Sequence, residues 1–107
     1  MLVMERKSPL ELLATNPIDL SLLSIKAKLM MIIKKIIEDN KWKQAQAAVE
    51  LKVKQPRVSN LLNGKISYFS IDMLLEMLGR LGYLLDVTFD PDDPSEPIKM
   101  AIKKTAV

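Results

Sequence analysis

Four polar side chains lie within six consecutive positions in the middle of the chain: Gln55, Arg57, Ser59 and Asn60. The amide groups donate and accept hydrogen bonds together, which suits N6 and N7 of adenine. A guanidinium bridges O6 and N7 of guanine or contacts a phosphate, and the sequence does not separate these two roles. On the outward side of one helix, such residues are of the type that reads base pairs in the major groove of DNA.

A recognition helix of this kind needs a second helix that holds it in place. The segment Gln44–Asn63 has the spacing of a helix-turn-helix, with the small residues Ala47 and Ala48 where the two helices cross. We predict helices over about 44–51 and 55–62, with Asn63-Gly64 closing the second. The apolar contacts between them are predicted to come from Leu51, Val53, Val58 and Leu61.

Five further residues fall at the ends of these helices, where phosphates pass, and are predicted to position the protein on DNA rather than to specify its sequence: Lys43, Gln44, Lys54, Asn63 and Lys65. The segment 41–65 holds six basic residues and one acid, or +5. The rest of the chain then holds ten basic and twelve acidic residues, or −2. This concentration suits attraction to phosphates, although charge by itself fits a solvated basic surface equally well.

Start and stop signals predict three more helices. Ser8-Pro9-Leu10-Glu11 predicts a short helix over about 9–14 within an N-terminal arm, residues 1–20. Asn16-Pro17 begins a long helix that continues to Asn40. Ser70 begins the last helix, which Gly82 ends, so that the helix-turn-helix domain spans residues 21–82. The predicted buried stripe of the long helix is Leu22, Ile25, Leu29, Ile32, Ile33 and Ile36.

The segment Tyr83–Asp90 alternates between apolar and polar residues and predicts one β-strand, residues 83–90. A single strand leaves its backbone groups unpaired, so we predict that it pairs with its own copy across a homodimer. The apolar N-terminus, Leu2–Met4, is the alternative partner. The predicted dimerisation residues are Tyr83, Leu85, Val87 and Phe89. Residues 91–107 are read as a tail that is first acidic and rich in proline, then basic.

Composition excludes several classes of function. The 107 residues contain neither cysteine nor histidine, which removes thiol nucleophiles, imidazole bases and zinc fingers. No constellation of catalytic residues can be nominated, so we expect no enzyme activity, cofactor or metal. The longest apolar run, Leu29–Ile33, has lysines on both sides and predicts neither a signal peptide nor a membrane span. A cytoplasmic protein is expected.

The motifs resemble the Xre/Cro family of phage-repressor-like regulators, and most closely its small HigA-type antitoxins. The resemblance rests on W-x-Q-A-x-A-A-x-x-L from Trp42, Q-P-R-V-S-x-L-L-x-G from Gln55 and F-S-x-D from Phe69. It implies a mainly α, five-helix phage-repressor-like helix-turn-helix domain with one C-terminal strand, and a homodimer on a palindromic operator in double-stranded DNA. It also implies a RelE/HigB-type toxin as partner. The residues that it places at the DNA are Gln44, Lys54, Gln55, Arg57 and Asn60.

Two residues depart from the family pattern. Lys52 stands where many such turns have glycine, so we expect it in a left-handed backbone conformation. Lys43 replaces a common threonine and loses a capping hydroxyl.

From the motifs and the resemblance, we expect a sequence-specific transcriptional repressor that is the antitoxin of a type II pair and regulates its own operon. The alternative is a helical module that contacts other proteins and has little DNA specificity of its own.

Overall fold

The computed structural model describes residues 16–105, and the predicted arm helix at 9–14 lies outside them. The described part is mainly helical, as predicted, but it ends in a two-stranded antiparallel sheet. In chain order its elements are α1 (Pro17–Asp39), α2 (Gln44–Leu51), α3 (Gln55–Leu62), a 3-10 turn (Ile66–Tyr68), α4 (Ile71–Arg80), β1 (Tyr83–Phe89) and β2 (Ile98–Lys104). None of these helices is long and apolar enough to cross a membrane.

The helices begin and end at the residues that the sequence indicated. The side chain of Asn16 accepts a hydrogen bond of 2.8 Å from the backbone N–H of Asp19, with Pro17 in the first turn of α1. Ser70 caps α4 in the same way, since its hydroxyl accepts from the N–H of Met73 at 3.1 Å. These caps satisfy N–H groups that have no partner within the helix, which fixes where α1 and α4 start.

One apolar core joins the four helices. It includes side chains from each helix and from Phe69, which follows the 3-10 turn, and Ile33, Leu51 and Leu74 are completely buried. Trp42 packs against this core from the α1–α2 connection. The buried residues are Leu29, Met30, Ile33, Ile37, Ala47, Ala48, Leu51, Val58, Leu61, Phe69, Leu74, Met77 and Leu78.

The buried stripe of α1 differs from the prediction. Leu22, Ile25 and Ile32 are exposed, whereas the buried face consists of Leu29, Met30, Ile33 and Ile37. A helix of 23 residues is about 35 Å long, and its buried residues all lie in its C-terminal half. Apolar residues on both sides of α1 made the periodicity ambiguous, and tertiary packing selected the side that faces α4.

The prediction of a single C-terminal strand is wrong. Residues 98–104, predicted to belong to the tail, form β2, and β2 pairs antiparallel with β1 of the same chain. Opposite partners are Leu85 with Ile102 and Val87 with Met100. The backbone therefore finds partners without a second copy, and the alternative partner, Leu2–Met4, lies outside the described residues.

The acidic, proline-rich segment is the loop of this hairpin. The Asp93 carboxylate accepts hydrogen bonds from the N–H groups of Ser95 and Glu96, at 3.1 and 3.0 Å. These bonds hold the pKa of Asp93 below its usual value, the bond from Glu96 having the larger effect. At the other end, the N–H and hydroxyl of Thr105 both donate to the carbonyl of Gly82. The three prolines thus lie in the loop between β1 and β2, and the chain continues the sheet after them.

The end of α2 is closed by a residue in the left-handed region. Lys52 has φ 56° and ψ 46°, which confirms the prediction for this position. Its N–H donates to the carbonyl of Val49 at 3.2 Å, and the N–H of Val53 donates to the carbonyl of Ala48 at 3.0 Å. This is a Schellman motif, in which glycine is the usual residue because a Cβ is strained there.

Replacing Lys52 with glycine should stabilise the protein. Lys52→Gly relieves a strain of about 1–2 kcal/mol, less the greater freedom that glycine has in the unfolded chain, for a net gain of about 0.5–1 kcal/mol in the free energy of unfolding. Urea unfolding followed by circular dichroism measures this gain. The control is Lys65→Gly, at φ −79°, where no strain is relieved. Equal destabilisation by both substitutions would contradict the assignment.

Candidate nucleic-acid interface

The crossing of α2 and α3 is made by small and apolar side chains. Ala47 is completely buried and Ala48 nearly so, which lets the two helices approach closely. Leu51, Val58 and Leu61 fill the space around them with almost no exposed surface. These positions are the ones that the sequence predicted, and their burial fixes which side of α3 faces outward.

Arg80, to which the sequence analysis gave no role, ties the end of α2 to α4. Its Nη1 donates to the carbonyl oxygen of Leu51 at 3.1 Å, and its Nη2 lies 3.6 Å from Oε2 of Glu76. The Leu51 carbonyl is at the C-terminus of α2, where it has no acceptor role within the helix. Arg80 lies 29 positions farther along the chain, so no local pattern could have revealed this contact.

The outward side of α3 carries the four predicted base-reading residues. Gln55 and Arg57 are exposed, whereas Ser59 and Asn60 are half-buried beside the buried Val58. At 100° per residue, positions 55 and 59 flank one side of the buried face and position 57 flanks the other. The four side chains therefore do not form one tight cluster but span the exposed half of the helix.

Two open depressions bring part of the predicted set together. The first is lined by Gln44, Gln55, Pro56 and Ser59, where the N-terminal ends of α2 and α3 lie side by side. The second lies on the other side of α3 and is lined by Lys52, Val53, Lys54, Arg57, Glu76 and Arg80. Gln44 thus lies beside Gln55 and Ser59, two of the residues predicted to contact bases. Lys54 lies beside Arg57 in the second depression, whose lining is mostly basic.

The remaining predicted phosphate residues lie at the margins of this surface. Lys43 precedes α2, is exposed, and makes no side-chain capping hydrogen bond, which agrees with the loss expected from the absent threonine. Asn63 and Lys65 follow α3 and are also exposed. Nδ2 of Asn63 is 3.4 Å from the hydroxyl of Ser59. Gly64, at φ 68°, turns the chain between them.

Except for Arg80, the basic side chains of this surface form no ion pair with an acidic side chain of the described residues. Within residues 16–105 the ion pairs are Lys35–Asp39, Arg80–Glu76 and Lys103–Asp86. None of them includes Lys43, Lys54, Arg57 or Lys65. Unpaired and exposed cations around a polar helix face provide an electrostatic surface suited to a polyanion.

Comparison with known proteins agrees with this geometry. Residues 18–89, from the start of α1 to the end of β1, match a family model described as a helix-turn-helix domain, HTH_37. No curated protein matches the chain. A helix-turn-helix domain points to a DNA-binding regulator, and domains of this family are typically not enzymes. Since the match covers well over half of its 107 residues, the chain belongs to the HTH_37 family of helix-turn-helix domains.

Proposed function

We propose that the protein is a sequence-specific DNA-binding transcriptional repressor that inserts α3 into the major groove. The observation that carries this proposal is the outward side of α3, where polar and basic side chains stand exposed on a helix that Val58 and Leu61 lock against α2. A buried crossing keeps the helix rigid, and the exposed side is then free for base edges.

The residues of the site divide into two roles. Gln55, Arg57, Ser59 and Asn60 are proposed to contact base edges, because their amide, guanidinium and hydroxyl groups match the donors and acceptors of the major groove. Backbone phosphates are proposed to be contacted by Lys43, Gln44, Lys54, Asn63 and Lys65. They lie just before or at the start of α2, in the turn before α3 and just after α3, and helix ends and turns are where side chains meet backbone phosphates.

Substitutions on the two kinds of residue should have different effects on binding. We expect Gln55→Ala to weaken the binding free energy for the protein's own promoter region by about 1–3 kcal/mol. Its affinity for a scrambled duplex should change little. Lys54→Ala should weaken both duplexes equally and lower the slope of log affinity against log salt by about 1. Fluorescence anisotropy over a series of salt concentrations measures both quantities.

The matched control for this experiment is Lys34→Ala, which removes an exposed lysine from α1, outside the helix-turn-helix. Its binding should equal that of the unsubstituted protein. Binding that is equally tight to both duplexes, or that is indifferent to Gln55→Ala and Arg57→Ala, would contradict the repressor and favour a module for protein contacts.

We further propose that the repressor acts as a homodimer on a palindromic operator. A single α3 has eight residues and reads only a few base pairs, so specificity requires a second copy. Two recognition helices related by a two-fold axis meet successive major grooves about 34 Å apart, which places half-site centres about 10 base pairs apart.

The motif resemblance supports a narrower role, that of the antitoxin of a type II pair that regulates its own operon. The partner would be a RelE/HigB-type toxin encoded beside this gene. Coexpression with that toxin should give a stable complex on size-exclusion chromatography and restore growth. Toxicity that persists in the presence of soluble antitoxin would contradict this role without affecting the repressor proposal.

A further inference from the structure

The β1–β2 hairpin has one face whose outer three residue pairs are all apolar. Successive residues of a strand point to opposite faces, so the register places three opposite pairs on the same face. Every one of the six side chains is exposed, between 37% and 68% of its surface. This face, called here the hairpin face, consists of Leu85, Val87, Phe89, Ile98, Met100 and Ile102.

The other face of the hairpin is that of a solvated sheet. It carries Asp86, Lys99 and Lys103, and Nζ of Lys103 lies 3.7 Å from Oδ2 of Asp86. All charged residues of the two strands except Lys104 are on this side. Lys104 lies at the base of the hairpin, with its Nζ 5.8 Å from the centre of the Tyr83 ring. The hairpin face therefore has no charge over its outer three pairs.

A hairpin of this kind needs a cover. An isolated two-stranded hairpin is only marginally stable in water, and it becomes stable when its apolar face packs against another surface. Within residues 16–105, every position of both strands except Tyr83 is exposed, so the helical core does not supply that surface. From the exposed fractions of its side chains, the hairpin face presents roughly 600 Å², the upper end for the largest patch on a typical monomer.

We propose that the hairpin face packs against the same face of a second copy, so that two hairpins stack as a small β-sandwich. The outer part of the face is uncharged, so two chains that each carry a net charge of +3 bring no like charges into contact there. Complete burial of both faces removes roughly 1,200 Å², the lower end for specific interfaces between proteins. A two-fold rotation brings the same apolar patch of both copies together, so a patch of similar side chains can serve both sides of such an interface.

Stacking differs from the edge-to-edge pairing that the sequence suggested. If β1 paired antiparallel with β1 of the partner, the two-fold axis would be perpendicular to the sheet. Both hairpin faces would then lie on the same side of a four-stranded sheet and remain uncovered. Face-to-face stacking buries Val87 and Met100 at its centre and leaves the sheet edges in solvent.

This inference rests on the proposed function and deepens it, because it names the surface through which two copies, each bound to one half-site, associate. Its test does not depend on DNA. The molar mass of the full chain is measured by sedimentation equilibrium without DNA, over a dilution series around micromolar concentrations. We expect a dimer that Val87→Asp weakens about 100-fold or more, since two unpaired carboxylates would be buried at the interface. The control, Thr88→Asp, adds the same charge to the opposite face and should leave the dimer intact.

Cysteine crosslinking separates stacking from edge pairing, and the chain has no cysteine of its own. Under mild oxidation, a mixture of Val87→Cys and Met100→Cys chains should form covalent dimers. A mixture of Thr88→Cys and Lys99→Cys chains, which are paired on the opposite face, should not. Equal crosslinking of both mixtures would show that the hairpin face is not the face in contact, and it would overturn the proposal.

A monomer at all concentrations would also overturn it. In that case another segment of the chain or a different protein covers the hairpin face, and Val87→Asp would change stability rather than mass. Loss of sequence-specific binding with the dimer preserved would instead contradict the proposed function and leave this interface standing.

Discussion

The structure depends on the close crossing of α2 and α3. Ala47 allows the two helices to touch, and Leu51 and Val58, both completely buried, prevent either helix from rotating about its axis. The left-handed turn at Lys52 redirects the chain between the two helices, and the hydrogen bond from Arg80 to the Leu51 carbonyl ties the end of α2 to α4. Because these contacts settle which half of α3 is buried, they also settle which side chains it presents. The candidate DNA surface is thus a consequence of packing.

The C-terminal hairpin extends the same logic beyond the core. Tyr83 packs against the helical core at the base of β1, and the strand then leaves it with its apolar residues uncovered. Pairing with β2 satisfies the backbone, so the remaining cost is that of exposed apolar surface. This cost is removed only by another surface. A dimer in which the two hairpin faces stack would cover this apolar surface. The same dimer would have the two-fold symmetry that a palindromic site requires.

The sequence predicted most of this fold because most of its signals are local. Asn16-Pro17, Ser70 and Gly82 mark helix ends through hydrogen bonds or backbone conformations within a few residues, and Ala47-Ala48 marks a helix crossing. The second strand was missed because three prolines suggested the end of the sheet, although Ile98, Met100 and Ile102 alternate with polar or small residues as Leu85 and Val87 do. The role of Arg80 could not be predicted, since its contact with Leu51 exists only after α4 has packed against α2.

Whether α3 reads specific base pairs can be decided by selection from a pool of random-sequence duplexes. The full-length protein is used to retain duplexes at physiological salt, and the retained pool is sequenced after several rounds. If α3 reads base pairs, the pool should become enriched in one palindromic motif with half-site centres about 10 base pairs apart, and Gln55→Ala should relax the motif at defined positions within each half-site. A retained pool with the same sequence composition as the starting pool would contradict the claim.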